Sequence, residues 1–205
     1  MFSICASCKE KSCKQEDEEY PEWCIIEDKN WFKELAPKYE EKENNLLFKT
    51  AAHVEKTGYK KWPRLKEIAE FAIKAGFETV GIAFCIGLKR EAEVAADYYQ
   101  EKGLKVASAV CCCGNFDKKE LGIPAEDRFS EEGFEAACNP IAQAKFLEES
   151  GSEFNIVLGL CVGHDSLFFK YSKVPTTVLA VKDRVLAHNP LGAVYNRESY
   201  YKDLD

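Results

Sequence analysis

The chain has 205 residues, 46% hydrophobic and 31% charged, enough for one sizeable core with a small appendage and too apolar for a disordered chain. Its 35 acidic residues against 28 basic ones leave a formal net charge of −7. That argues against a general nucleic-acid or anionic-membrane binder, since both need a basic surface. The unusual entry is cysteine, at 10 residues.

Residues 1–24 hold four of these cysteines and almost no periodic apolar pattern. No basic region followed by an apolar stretch marks the start, and the longest apolar run, 80–88, contains two glycines. The expectation is therefore a cytoplasmic chain with no membrane span. In a reducing compartment ten cysteines read as metal ligands or reactive thiols rather than as a disulfide framework. Packing as small apolar side chains would account for two or three of them, not for ten. Residues 16–43 carry eleven Asp or Glu against four Lys, so the whole net charge lies in one segment, read as a solvated face.

Over 39–57 the positions Leu46, Leu47, Thr50, Ala51 and Val54 recur at helical spacing, and Gly58 follows as a stop. Pro63 opens a second predicted helix with Leu65, Ile68, Ala69, Ala72 and Ile73 on one face, closed by Gly76. The apolar run over 79–85 reads as a buried strand. A helix over 88–102 follows, with Ala92, Ala95, Ala96 and Tyr99 spaced by threes and fours, and then a second strand over 105–111. Asn115, Phe116 and Asp117, with Gly122, Ile123 and Pro124, belong to a loop crossing the sheet edge, a candidate lid. Asn139 as N-cap and Pro140 at the first helical position open a helix to about 149. A strand over 155–161, a short helix over 165–171 and a strand over 175–181 complete the pattern. Strands alternating with helices predict an α/β fold. The expected architecture is three-layer and Rossmann-like over 58–205, a mostly parallel sheet with helices on both faces. Residues 1–57 are expected as a small cysteine-rich module with a packing helix.

Two cysteine constellations follow. Cys5-x2-Cys8-x4-Cys13-x10-Cys24 supplies four thiolates, and a Cys-x2-Cys pair can chelate one metal from a single turn. So short and polar a segment gains a reason to fold from a metal staple, either zinc or an iron–sulfur cluster. The second set is dispersed in sequence. Cys85, Cys111 and Cys161 end the first three strands, His164 lies just beyond the third, and Cys138 precedes a helix. In an open parallel sheet all carboxyl ends share one edge, where ligands bind. The fold would therefore gather Cys85, Cys111, Cys138 and Cys161, with His164 adjacent, into a site suited to zinc or an iron–sulfur cluster. In the triplet Cys111-Cys112-Cys113, alternation along a strand would send the middle thiol to the opposite face, and Cys111 at the strand tip is the favoured ligand.

A competing pattern is Gly159-Leu-Cys161-Val-Gly163, the G-x-nucleophile-x-G elbow between a strand and a helix. It would make Cys161 the nucleophile of a hydrolase, His188 its base and Asp183 the residue orienting that base. This reading leaves the other strand-end cysteines unexplained. Lys182-Asp183-Arg184 reads first as a set of local ion pairs, with anion binding as the alternative.

The segments Gly81-Ile-Ala-Phe-Cys-Ile-Gly-Leu88, Cys138-Asn-Pro-Ile-Ala-Gln-Ala144, Gly159-Leu-Cys-Val-Gly-His-Asp-Ser166 and Val181-Lys-Asp-Arg-Val-Leu-Ala-His-Asn-Pro190 resemble the DUF1847 family of prokaryotic proteins. The resemblance extends over nearly the whole chain. It implies a metal-binding protein with no assigned reaction, and Cys85, Cys138, Cys161 and His164 fall in the family's characteristic segments. The expected partners are metal ions and a redox partner protein, with neither nucleic acid nor membrane.

Overall fold

The computed structural model describes residues 5–10, 12–16, 19–24, 29–130 and 132–204. Residues 1–4 lie outside these, as do Asp17, Glu18, Glu27 and Asp28 of the acidic stretch. The chain forms two compact units, 1–53 and 54–205. Among the described residues no helix is long and apolar enough to cross a membrane.

The first unit carries 3-10 turns at Cys5–Ser7 and Ser12–Lys14, helix α1 (Lys29–Leu35), a 3-10 turn at Ala36–Glu40 and the greater part of α2 (Lys42–Gly58). Every described acidic side chain over 16–43 is exposed, so this charge is a solvated face. On α2 the buried stripe is narrower than the apolar periodicity predicts: Thr50 and Val54 are buried, while Leu46 and Ala51 are exposed.

The second unit runs α3 (Arg64–Ala75), β1 (Thr79–Phe84), α4 (Lys89–Glu101), β2 (Lys105–Val110), α5 (Pro140–Glu149), β3 (Phe154–Leu158), α6 (His164–Tyr171), β4 (Thr176–Ala180) and α7 (Leu191–Tyr195). Gly76 ends α3 in a left-handed conformation, φ 82°, and Phe77 N–H returns to the Ala72 carbonyl, which satisfies the last turn. The four strands are all parallel in the order β2-β1-β3-β4.

Pleating sorts alternate side chains to the two faces. Val80 and Ile82 of β1 and Ile156 and Leu158 of β3 pack with Ile68, Ala72, Ala92, Ala95 and Tyr99 of α3 and α4. Ala83, Ala109 and Val157 face the other way, toward Ala144 and Leu147 of α5 and Phe168 of α6. β3 is buried along its whole length, which explains why it reads as a continuous apolar run. The result is the expected three-layer α/β architecture. The chain leaves β1 toward β2 on one side and later crosses to β3 on the other, so the switch point lies between the carboxyl ends of β1 and β3.

The strands stop short of the cysteines that were expected to end them. β2 closes at Val110, and Cys113 N–H folds back to the Val110 carbonyl at 3.1 Å. Alternation therefore does not carry through Cys111, Cys112 and Cys113, which lie in a turn. The loop that follows is gathered at its neck, where Asp117 bridges to Ala136 and Lys118 pairs with Glu135.

Candidate functional site

Cys85 and Cys111 lie just past the ends of β1 and β2 and are buried with Ala83, Ala109 and Phe168 on the α5–α6 face. Both are buried, and Phe84 and Val110 are register partners immediately before them. Cys85 N–H extends the ladder to the Leu158 carbonyl, and Ile86 N–H donates to Cys111 Sγ at 3.4 Å. Gln143 of α5 braces this edge from beneath. Its fully buried amide nitrogen donates to the Ala109 carbonyl at 2.7 Å and the Phe84 carbonyl at 3.2 Å.

Cys138 arrives from the loop before α5. Asn139 N–H donates to the Cys111 carbonyl at 2.6 Å, and Asn139 Oδ1 caps the helix by accepting from Ala142 N–H at 3.0 Å. The neighbouring Cys138 sulfur, and burial after it, push the Cys111 thiol far up; Cys111 in turn holds Cys138 below the ordinary thiol range. Cys112 and Cys113 are raised chiefly by burial, and Cys113 Sγ lies 3.9 Å from the Asn139 carbonyl.

Cys161 lies between β3 and α6, and its carbonyl accepts from both His164 N–H and Asp165 N–H at 3.0 Å. Gly159, φ 67°, makes the turn out of the strand, and a Cβ there would collide with Leu88 Cδ1. Cys161 itself is not among the residues with positive φ, so the turn's backbone strain falls on Gly159 and Gly163 instead. The partner of Cys161 Sγ is Arg184, whose Nη2 donates at 3.1 Å. Cys161 first, then Cys85 and Cys138, hold the Arg184 pKa up, which places one guanidinium in the field of three of the four sulfurs.

His188 and Asp183 are occupied by their own loop. Asp183 Oδ1 accepts from Val185 N–H at 2.9 Å and Leu186 N–H at 2.8 Å. His188 Nδ1 accepts from Asp183 N–H at 3.1 Å, and His188 N–H returns to the Asp183 carbonyl. His164 opens α6, and no hydrogen bond joins its imidazole to the sulfurs among the described residues.

In the first unit, Cys8 N–H donates to the Cys5 carbonyl, so Cys-x2-Cys does form one turn; Cys13 lies in the next 3-10 turn, and Cys24 N–H closes on the Pro21 carbonyl. Among the described residues, in either unit, no group of three or more His, Cys, Asp or Glu side chains has metal-holding geometry. At the sheet edge the donor chemistry still suits a soft metal: Cys85, Cys111, Cys138 and Cys161 come from four segments at the carboxyl edge, and all four are thiols rather than disulfide halves.

Sequence reasoning passed over Gln143 and did not connect Arg184 with the cysteines. The expectation of local ion pairs at Lys182-Asp183-Arg184 does not hold: neither Lys182 nor Arg184 pairs with a carboxylate among the described residues, and Asp183 is committed to backbone N–H groups. The available signal was their position, directly after β4 and so on the same edge as the cysteines.

Two comparisons bear on identity. An uncharacterized protein of Methanocaldococcus jannaschii, MJ0455, is 43% identical over 167 residues, covering 82% of this chain and 83% of that one. The family described as "Protein of unknown function (DUF1847)" matches residues 24–179. That span takes in Cys24, the four sheet-edge cysteines and His164, and leaves Cys5, Cys8, Cys13 and the 181–190 segment outside. With its parallel sheet, its thiol-lined edge and this match over most of its length, the chain belongs to the DUF1847 family.

Proposed function

We propose that the carboxyl edge of the sheet binds zinc or an iron–sulfur cluster through Cys85, Cys111, Cys138 and Cys161 in a reducing cytoplasm, and that the cluster, where it is the bound group, serves redox chemistry or electron transfer. The observation that carries this reading is convergence. Cysteines from four separate segments lie along the carboxyl edge beside the switch point, and among the described residues no carboxylate hydrogen-bonds to their sulfurs. An iron–sulfur cluster would supply one-electron transfer to a partner protein. Cys5, Cys8, Cys13 and Cys24 would hold a separate structural zinc. The test is elemental and sulfide analysis with a visible spectrum on protein purified without oxygen. Cys85→Ser and Cys138→Ser should each lower metal content as much as Cys161→Ser; unchanged content in all three would overturn the reading.

A second reading rests on the hydrogen bond from Arg184 to Cys161, which would favour a thiolate nucleophile at the G-x-C-x-G turn. It would have to draw its base from elsewhere than His188, whose Nδ1 is taken by Asp183 N–H. In that case Cys161→Ser alone would abolish labelling by iodoacetamide and leave metal content unchanged.

A further inference from the structure

The loop over 182–188 is more rigidly built than an exposed connection requires. Asp183 closes it through two backbone N–H groups, and His188 closes it again through its ring and its own N–H. Ala187 and His188 both sit at positive φ, 49° and 64°, a conformation that non-glycine residues adopt only when the surroundings hold them. The product of this bracing is the placement of two cations. Arg184 Nη2 meets Cys161 Sγ at 3.1 Å. Lys182 lies over the switch point: a Cβ at Gly87 would stand 3.5 Å from Lys182 Nζ and 3.9 Å from Cys85 Sγ, and one at Gly159 would stand 4.0 Å from Lys182 Cε.

We infer that Arg184, with Lys182 beside it, is the built-in counter-charge of the sulfur site, a positioning residue that selects for an assembly whose thiolates keep net negative charge. The inference rests on the metal-site reading above. A divalent ion held by four thiolates carries two negative charges, and burying that excess at a sheet edge is costly unless cations face it. Arg184 answers with both charge and a directed N–H donor on a ligand sulfur, and such outer partners tune affinity and electronic structure. Asp183 and His188 have the supporting role of holding the loop that presents it, which gives these two polar residues a function without a hydrolytic triad.

The test uses the full chain carrying C5S and C8S, so that the N-terminal cysteines do not contribute, reduced and titrated with Co2+ alone. The parent protein should show a sulfur-to-cobalt charge-transfer band that C138S removes. Arg184→Gln should weaken Co2+ binding about 10- to 100-fold and move that band, since a hydrogen bond to a ligand sulfur is lost. Arg184→Lys should recover most of the affinity, by charge, without restoring the band position. Raising ionic strength should shrink the difference in affinity between the parent and R184Q. Affinity and band within twofold of the parent in R184Q would overturn the role of Arg184 while leaving the metal site standing. Absence of the band in the parent, or its survival in C138S, would overturn the metal site and Arg184's role together.

Discussion

At the amino edge of the sheet Asn155 and Glu153 hold backbone and side-chain polar groups in a hydrogen-bonded network. Asn155, 2% exposed, accepts from Ser152 Oγ at 2.8 Å and donates to Ser172 Oγ at 2.9 Å, and Ser172 bonds onward to Thr176. Glu153 takes the N–H groups of Glu78 and Thr79. At the carboxyl edge the groups are thiols and cations instead. Cys111 leans on Cys138, Arg184 on Cys161, and Gln143 ties two strand carbonyls while its own Oε1 is buried without a partner among the described residues. The first edge is a saturated network that fixes register and excludes further partners. The second retains sulfur donors and cationic charge that further chemistry can use. Strand polarity alone thus sets a hydrogen-bonded polar network at one edge of the sheet and thiols with cations at the other.

The sharpest way to separate the two edges is to remove Asn155. Asn155→Ala deletes a buried acceptor and a buried donor and leaves a cavity, at a cost of about 2–4 kcal/mol. Urea unfolding should register that loss, while the metal content of the folded protein stays at the parental value. A changed metal content in the folded fraction would mean that the edges are coupled. Gln143→Leu acts at the opposite edge and preserves volume. It removes both donors to Phe84 and Ala109 but also removes the unpartnered Oε1, so the net cost should be smaller, about 1–2 kcal/mol. Because those carbonyls immediately precede Cys85 and lie close to Cys111, this variant should also lose metal affinity. Stability lost with affinity retained would show that Gln143 braces only the fold.

The smallest expected effect lies on the far face. Tyr99 is wholly buried and its hydroxyl has no partner among the described residues; burial pushes its pKa well above the ordinary tyrosine value. Tyr99→Phe should therefore stabilise the protein slightly, by up to about 1 kcal/mol at neutral pH. A raised folded-state pKa gives stability that is complete below the unfolded value, about 10, and lost as pH rises above it. The advantage of Tyr99→Phe in urea midpoint should accordingly widen between neutral pH and about pH 10.5. A gap that stays constant or narrows would mean that folding does not raise the Tyr99 pKa.

Much of this fold was legible because its signals are local. The helix stop at Gly76, the Asn139-Pro140 start and the alternation of helices with apolar runs each express a backbone preference that neighbouring residues decide. The strand ends were each drawn about one to three residues too long. A run such as Asn155 to Cys161 stays apolar past the point where the ladder stops, since burial continues into the turn through Leu160. The parity argument for the cysteine triplet failed for the same reason: Cys113 N–H finds the Val110 carbonyl, and a turn has no alternation. On α2 the apolar spacing correctly indicated a helix and overstated the buried stripe, since periodicity records what can be buried and packing decides what is.

The cysteines divide along the same line. Cys5 and Cys8 share one turn because the residues between them close it, a relation written in adjacent positions. Cys85, Cys111, Cys138 and Cys161 are widely separated in the chain, yet strand polarity sets them all along one edge of the sheet. Residue order by itself determined the class of fold, the sheet edge at which chemistry collects and the sulfur character of that edge. Only the tertiary structure decided that Asn139 N–H ties the α5 start to the Cys111 carbonyl, that Gln143 holds the strand ends from below and that Arg184 faces Cys161. Those contacts depend on directions in space set by the packing of α5 and by a strained loop after β4, and no local spacing encodes them.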